Sequence, residues 1–197
     1  MKKTVIGWVI CYSTWVFIMQ SCKNSSQAGH TGIPLTSDTA RFYPVNDYLR
    51  LQIKKVDSAA QLIYRLTVEN GKTDSVVLST QQFDSLANTF LQYDISDKNN
   101  HKYYHENVFM DETTGSYTFN YTSLNNGLPL QSVDILLDTI DNHVKRVFIT
   151  RAANTGTLPV TEKMGWKNDN SFYINRITEN GSNTNLQQNT VVWHYRP

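Results

Sequence analysis

The chain predicts an α+β fold in which two helices pack on one face of a curved, mostly antiparallel sheet of about nine strands. Three observations lead there. Stretches beginning at Pro44 and Thr80 repeat apolar residues at helical spacing, and Asn70-Gly71 marks a tight hairpin between them. Everything after His101 alternates apolar and polar residues in short runs broken by turn formers. An up-and-down β-barrel closed by the same strands is the alternative, since strands this numerous can curl shut.

The first helix is expected over Pro44 to Val56. Pro44 suits an opening turn, and Val45, Tyr48, Leu49, Ile53 and Val56 fall on one face. Leu62, Tyr64, Leu66 and Val68 then alternate with Ile63, Arg65, Thr67 and Glu69, the pattern of a strand with one buried face. Asn70 and Gly71 both tolerate positive φ, and the return strand runs from about Asp74 to Ser79. Thr80 can cap a second helix with Phe83, Leu86, Ala87, Phe90 and Leu91 as its apolar stripe. A polar loop, Asp94 to Asn100, follows. The remaining strands are expected at Tyr103 to Asp111, Ser116 to Thr122, Ser132 to Asp138, Val144 to Arg151, Lys163 to Lys167, Phe172 to Thr178 and Thr190 to Tyr195. Together these elements make one α+β domain over residues 42–197. No internal repeat of solenoid period is present.

The N-terminal stretch has a different character. Lys2 and Lys3 give a positive start, Val5 to Met19 is apolar, and Gln20-Ser21-Cys22 leads into the polar run Lys23-Asn24-Ser25-Ser26-Gln27. That order is the layout of a secretory signal. With Met19 three residues before Cys22 and Ser21 just before it, the junction resembles the lipobox of bacterial lipoproteins. The resemblance implies that residues 1–21 are a lipoprotein signal peptide and that Cys22 becomes a diacylated N-terminus. An uncleaved anchor is less favoured, because an apolar run of about 15 residues falls short of the roughly 20 that span a bilayer core. Residues 22–41, rich in Ser, Thr, Gly, Gln and Asn, read as a flexible tether.

Composition excludes several classes. The two cysteines are Cys11, within the signal, and Cys22, consumed by acylation. That leaves no thiol for catalysis, zinc or a disulfide. Lys+Arg number 18 against 17 Asp+Glu, and without Lys2 and Lys3 the balance is 16 against 17. A net charge near −1 gives no electrostatic footprint for nucleic acid, so the membrane is reached through the lipid alone.

Candidate chemistry is sparse. His101-x-x-x-His105-Glu106 has the spacing of a helical metal box, yet Tyr103, Tyr104, Val108 and Phe109 place it on a loop and strand, where the histidines do not converge. His30 falls in the tether and His143 at a turn, both read as solvated, while His194 lies between Trp193 and Tyr195. Asp111-Glu112 reads as a turn pair, and Asp134 with Asp138 as solvated sheet positions. Gly-x-Ser-x-Gly and the phosphate-binding glycine loops are absent. The strand aromatics Tyr103, Tyr117, Phe119, Tyr121, Trp166, Phe172, Trp193 and Tyr195 can line a groove for an apolar or glycan ligand. The simpler reading makes Phe119, Trp166 and Trp193 the sheet's share of the core.

Asp followed by Ser or Thr and an apolar residue recurs at Asp38-Thr39-Ala40, Asp57-Ser58-Ala59, Asp74-Ser75-Val76, Asp84-Ser85-Leu86 and Asp138-Thr139-Ile140. The triplet resembles an O-glycan attachment sequon of some Gram-negative envelope proteins, with Thr39 the most accessible candidate. Asp-Ser also marks helix and turn boundaries without any glycan.

Phe42-Tyr43-Pro44-Val45, Gln52-Ile53, Asp57-Ser58, Asn70-Gly71-Lys72-Thr73-Asp74-Ser75 and Val144-Lys145-Arg146-Val147-Phe148-Ile149, with Trp166 and Trp193, resemble a group of uncharacterised bacterial lipoproteins from Gram-negative envelopes. The resemblance implies a secreted, lipid-anchored product and supplies no activity, cofactor or catalytic residue. Because Asn24-Ser25 rather than acidic residues follow Lys23, an outer-membrane position facing the periplasm is expected. The function expected is binding or scaffolding without catalysis, with an envelope protein or an apolar or glycan ligand as partner. The alternatives are a carrier enclosing an apolar ligand between sheet and helices, and a hydrolase with a cleft holding His101 or His105 beside a carboxylate.

Overall fold

Helix α1, Val45–Ser58, starts just after Pro44, whose φ of −76° already suits a helix. The computed structural model describes residues 42–59, 61–154 and 158–193. Val45, Leu49, Ile53 and Val56 are buried along one face of α1, as the 3.6-residue period requires. Strands β1, Ile63–Glu69, and β2, Lys72–Leu78, form the hairpin whose turn places Asn70 at φ 51° and Gly71 at φ 72°. Both angles are left-handed, which is why Asn-Gly closes so tight a connection.

Helix α2, Thr80–Ala87, follows directly. Ser79, and not Thr80, caps it. The Ser79 hydroxyl accepts from the Gln82 N–H, and the Gln82 carboxamide accepts from the Ser79 N–H at 2.9 Å, a reciprocal capping box. After Ala87 the chain tightens into a 3-10 turn, Asn88–Leu91, which carries the buried Phe90.

Seven strands complete the sheet: β3 Tyr104–Asp111, β4 Ser116–Ser123, β5 Leu130–Asp138, β6 Val144–Asn154, β7 Pro159–Lys167, β8 Ser171–Asn180 and β9 Asn183–Val192. Their order is β2-β1-β9-β8-β7-β6-β5-β4-β3, and every pairing is antiparallel. Consecutive strands neighbour one another from β3 to β9, and the first hairpin then joins through β1 beside β9. No pairing connects β2 to β3, so the sheet is open and the barrel alternative is set aside.

The α+β architecture of two helices on a nine-stranded antiparallel sheet is therefore as the sequence predicts. One face differs. Ile63, not Leu62, points into the core, and Leu62 is 62% exposed. Arg65, opposite Val76 and the buried Val191, shares the helix-bearing face with Ile63, and Tyr64, Leu66 and Val68 take the other.

The core is aromatic. Phe83 of α2 packs edge-on against Trp193 and tilted against Phe172, with ring centres 5.8 and 5.9 Å apart. Phe90 meets Trp166 and Phe172, both at 5.3 Å, and Trp166 stacks on Phe172 at 5.1 Å. Trp166 and Trp193 are buried and Phe119 packs against the same cluster, as the simpler reading of the strand aromatics holds.

Helix α1 is pinned to the β7–β8 turn by polar contacts. The Tyr48 hydroxyl donates to Asn168 at 3.1 Å, Lys55 pairs with Asp169 at 2.7 Å, and the Asp169 N–H donates to Gln52. Asp169 itself sits at φ 52°, so the turn is held from above by the helix it supports.

Candidate functional site

The sequence-predicted residues scatter. Cys22, Thr39, His30 and His194 lie outside the described residues, as does Tyr195. His101 opens a short 3-10 turn, where its ring stacks on Phe42 with centres 4.1 Å apart and Nε2 lies 3.3 Å from the Ser96 carbonyl. His105 is exposed on β3, so the two histidines do not converge. Glu106 faces Tyr121, whose hydroxyl accepts from the Tyr43 N–H at 2.9 Å. Burial, with Glu106 adding to it, holds the Tyr121 phenol well above its usual range. These contacts fasten the start of the described chain to β4.

Asp138, Asp141 and His143 each bring a ligand atom within 4.8 Å of the others. Local bonding accounts for the grouping. Asp141 accepts from the His143 ring and backbone, which lowers its pKa. One oxygen of Asp138 accepts from the Ile140 N–H and the other lies 3.6 Å from the Lys145 ammonium. Lys145 also donates to the Thr114 carbonyl, tying the β3–β4 and β5–β6 turns together. A cation placed there would displace an ammonium already in position.

Two carboxylate arrangements escaped the sequence. Glu162 on β7 is 1% exposed and lies between two guanidinium groups. Arg151 on β6, itself buried, bonds Glu162 Oε2 through Nε and Nη2. Arg176 on β8 reaches Oε1 through Nε at 3.0 Å and Nη2 at 2.7 Å. Arg151 Nη1 goes on to Gln92 and to the Thr89 carbonyl, so the cluster clamps the end of the helical layer to the sheet. The register places Arg151, Glu162, Arg176 and Gln187 opposite one another in a row across four strands. Glu162 has its lone pairs committed to two cations, which suits structural anchoring rather than proton transfer.

The second arrangement joins the helices. Asp57 near the end of α1 shares a hydrogen bond with Asp84 of α2. Partial burial, then the Asp84 charge and that bond, raise the Asp57 pKa above its usual 3.8. The folded chain holds this proton more tightly than the unfolded one. The pair's support of the fold is therefore complete at acid pH and is lost as pH rises through the raised value. Asp57→Asn is expected to raise stability near neutral pH and to flatten its dependence above the ordinary carboxylate range. Solvent screening keeps the gain on the order of 0.3 kcal/mol. Calorimetric melts at pH 4, 5, 6 and 7 check it, and a variant whose melting tracks the parent at all four would refute the coupling.

Among the described residues, two surface cavities bear on the question. One, of about 370 Å³, lies at the β8–β9 turn among Asn70, Leu158, Thr178, Asn180, Asn183 and Asn185. The other, about 70 Å³, lies around Gly165, with Arg146, Phe148, Lys167 and Tyr173 among its lining. The Tyr173 ring lies over Gly165 so closely that a Cβ there would fall 2.4 Å from it. Neither cavity contains a histidine or separates the helices from the sheet.

The remaining feature is the sheet's margin. Val108, Phe109 and Met110, consecutive on β3, are 38%, 46% and 53% exposed, and β3 pairs only with β4. A strand edge left open among the described residues, beside three exposed apolar side chains, is a template for another strand. Among the described residues, no helix is long and apolar enough to cross a membrane.

Comparison with known proteins finds no match: no family model, no curated protein and no solved structure is similar to the chain.

Proposed function

We propose that this chain is a lipid-anchored protein of the cell envelope, held by a diacylated Cys22 and facing the periplasm from the outer membrane. Its folded domain binds or scaffolds and performs no chemistry. The observation that carries the binding half is the unpaired, partly apolar β3 margin. The non-catalytic half draws support from the state of the buried and clustered acids. Glu162 is saturated by Arg151 and Arg176, and Asp138 is held by Lys145 and the Ile140 N–H. Carriage of an apolar cargo between the layers finds less support, because the rings of Phe83, Phe90, Trp166, Phe172 and Trp193 occupy that space.

The anchor rests on the residues before the described domain, with Ser21-Cys22 closing an apolar run. Radiolabelled palmitate is expected to enter the full-length chain, and Cys22→Ser is expected to move it from membrane to soluble fractions. Absence of label, together with unchanged fractionation of the serine variant, would overturn the anchor.

A further inference from the structure

Among the described residues strand β3 has no second neighbour, and its residues fall so that it complements itself. The Leu124 N–H donates to the Tyr103 carbonyl at 2.9 Å, which marks these residues as a hydrogen-bonded pair continuous with the β3–β4 register. Odd-numbered residues along β3 therefore turn their backbone groups toward β4. Tyr104, Glu106, Val108 and Met110 aim theirs away from the sheet. The opposite margin is blunted, because Lys72, Thr73, Asp74 and Ser75 of β2 are all exposed and polar. Of the two sheet margins among the described residues, β3 is the one with an exposed apolar centre.

We propose that β3 pairs antiparallel with β3 of a second copy of this chain, about a two-fold axis at Val108, joining the two sheets into one. In that register Val108 meets its own counterpart, Glu106 meets Met110, Asn107 meets Phe109, and His105 meets Asp111. The outward-aimed residues Glu106, Val108 and Met110 exchange backbone bonds, and no like charges oppose one another. Neighbouring registers are worse. Centring on Phe109 sets Glu106 against Glu112, and centring on Glu106 sets it against itself. Centring on Asn107 leaves Asp111 opposite Tyr103 and forfeits the His105–Asp111 match. That self-complementarity, present twice by symmetry, is what selects a second copy over a foreign strand. A junction of single strands buries less than a standard stable interface, so a weak, concentration-dependent association is expected. The pairing deepens the binding reading above by naming its partner, and it is independent of acylation at Cys22.

The test uses the full-length chain in detergent, followed by sedimentation over a concentration series and by amide exchange. A concentration-dependent dimer is expected, with the amides of Glu106, Val108 and Met110 exchanging at least about tenfold more slowly in it. Val108→Lys sets two ammonium groups face to face and is expected to weaken the dimer about tenfold or more, with the circular dichroism of the parent retained. Val77→Lys, at an exposed position of β2, is expected to leave it intact. A monomer at every concentration overturns the proposal, whether those amides exchange freely or are protected by another part of the chain. A dimer indifferent to Val108→Lys overturns it equally. Loss of the palmitate label with the dimer retained would remove the anchor and leave the pairing standing.

Discussion

Replacing Glu162 by glutamine is expected to cost the domain about 3–5 kcal/mol, the loss seen when one partner of a buried ion pair is removed. The magnitude follows from where the charges sit. Arg151 is 6% exposed and Glu162 1%, so the guanidinium left behind is shut off from water, with no second anion paired to it among the described residues. Arg176 differs, because its side chain is 48% exposed and swings free at little cost. The double variant Arg151→Met/Glu162→Leu, of similar volume and without buried charge, is expected to recover most of the loss. Urea denaturation of the parent, the single and the double variant decides the matter. A double variant as unstable as the single one would mean that shape, and not uncompensated charge, sets the penalty. A loss below about 1 kcal/mol for Glu162→Gln would show that water reaches the cluster.

Trp166→Ala is the second large effect, with an expected loss of about 3–5 kcal/mol. The indole is 1% exposed and touches the rings of Phe90, Phe172 and Trp193, so its removal opens a void that three rigid neighbours cannot refill. Stabilities of domains this size run to about 5–15 kcal/mol, so the variant sits near the edge of folding. Trp166→Phe separates packing from polarity. The indole N–H is buried with no hydrogen-bond partner among the described residues, and phenylalanine removes that donor while keeping a ring against Phe172. Its loss is expected to be less than half that of the alanine variant. Equal losses would show that the indole's full size, and not a ring as such, holds the cluster.

The parts of the fold legible in the sequence are those where local and global preferences agree. Asn70-Gly71 needed left-handed angles and has them, and the stripe of α1 faces the core as its period demands. Strand β9 was less legible. The pattern places its start at Thr190, yet it begins at Asn183, because β8 bonds it from there and β1 from Gln187, along a stretch where Asn, Gln and Thr give no regular apolar alternation. Strand β1 misled for a related reason. Half-buried Tyr64 and Val68 alternate as regularly as the residues of the true inward face, and only the helices decide which side is dry. The Arg151–Glu162–Arg176 cluster left no trace in linear order, since its members come from three strands and meet only through register. A cross-strand alignment of opposite charges is the signal that finds it. The margin at β3 was readable as residues, but its exposure depends on which strand ends the sheet, and spacing alone does not settle strand order.

The place of β1 between β2 and β9 has a consequence for how the molecule comes into being. Tyr64, in the earliest strand, pairs with Val192, in the latest, so the hairpin made first has no seat until the ladder from β3 to β9 is complete. Pairings this distant in the chain are slow to close. During vectorial synthesis or threading, the opening hairpin and α1 must wait for a strand that emerges more than a hundred residues later before β1 can take its place beside it. A polypeptide built this way stays loose until its last rung arrives.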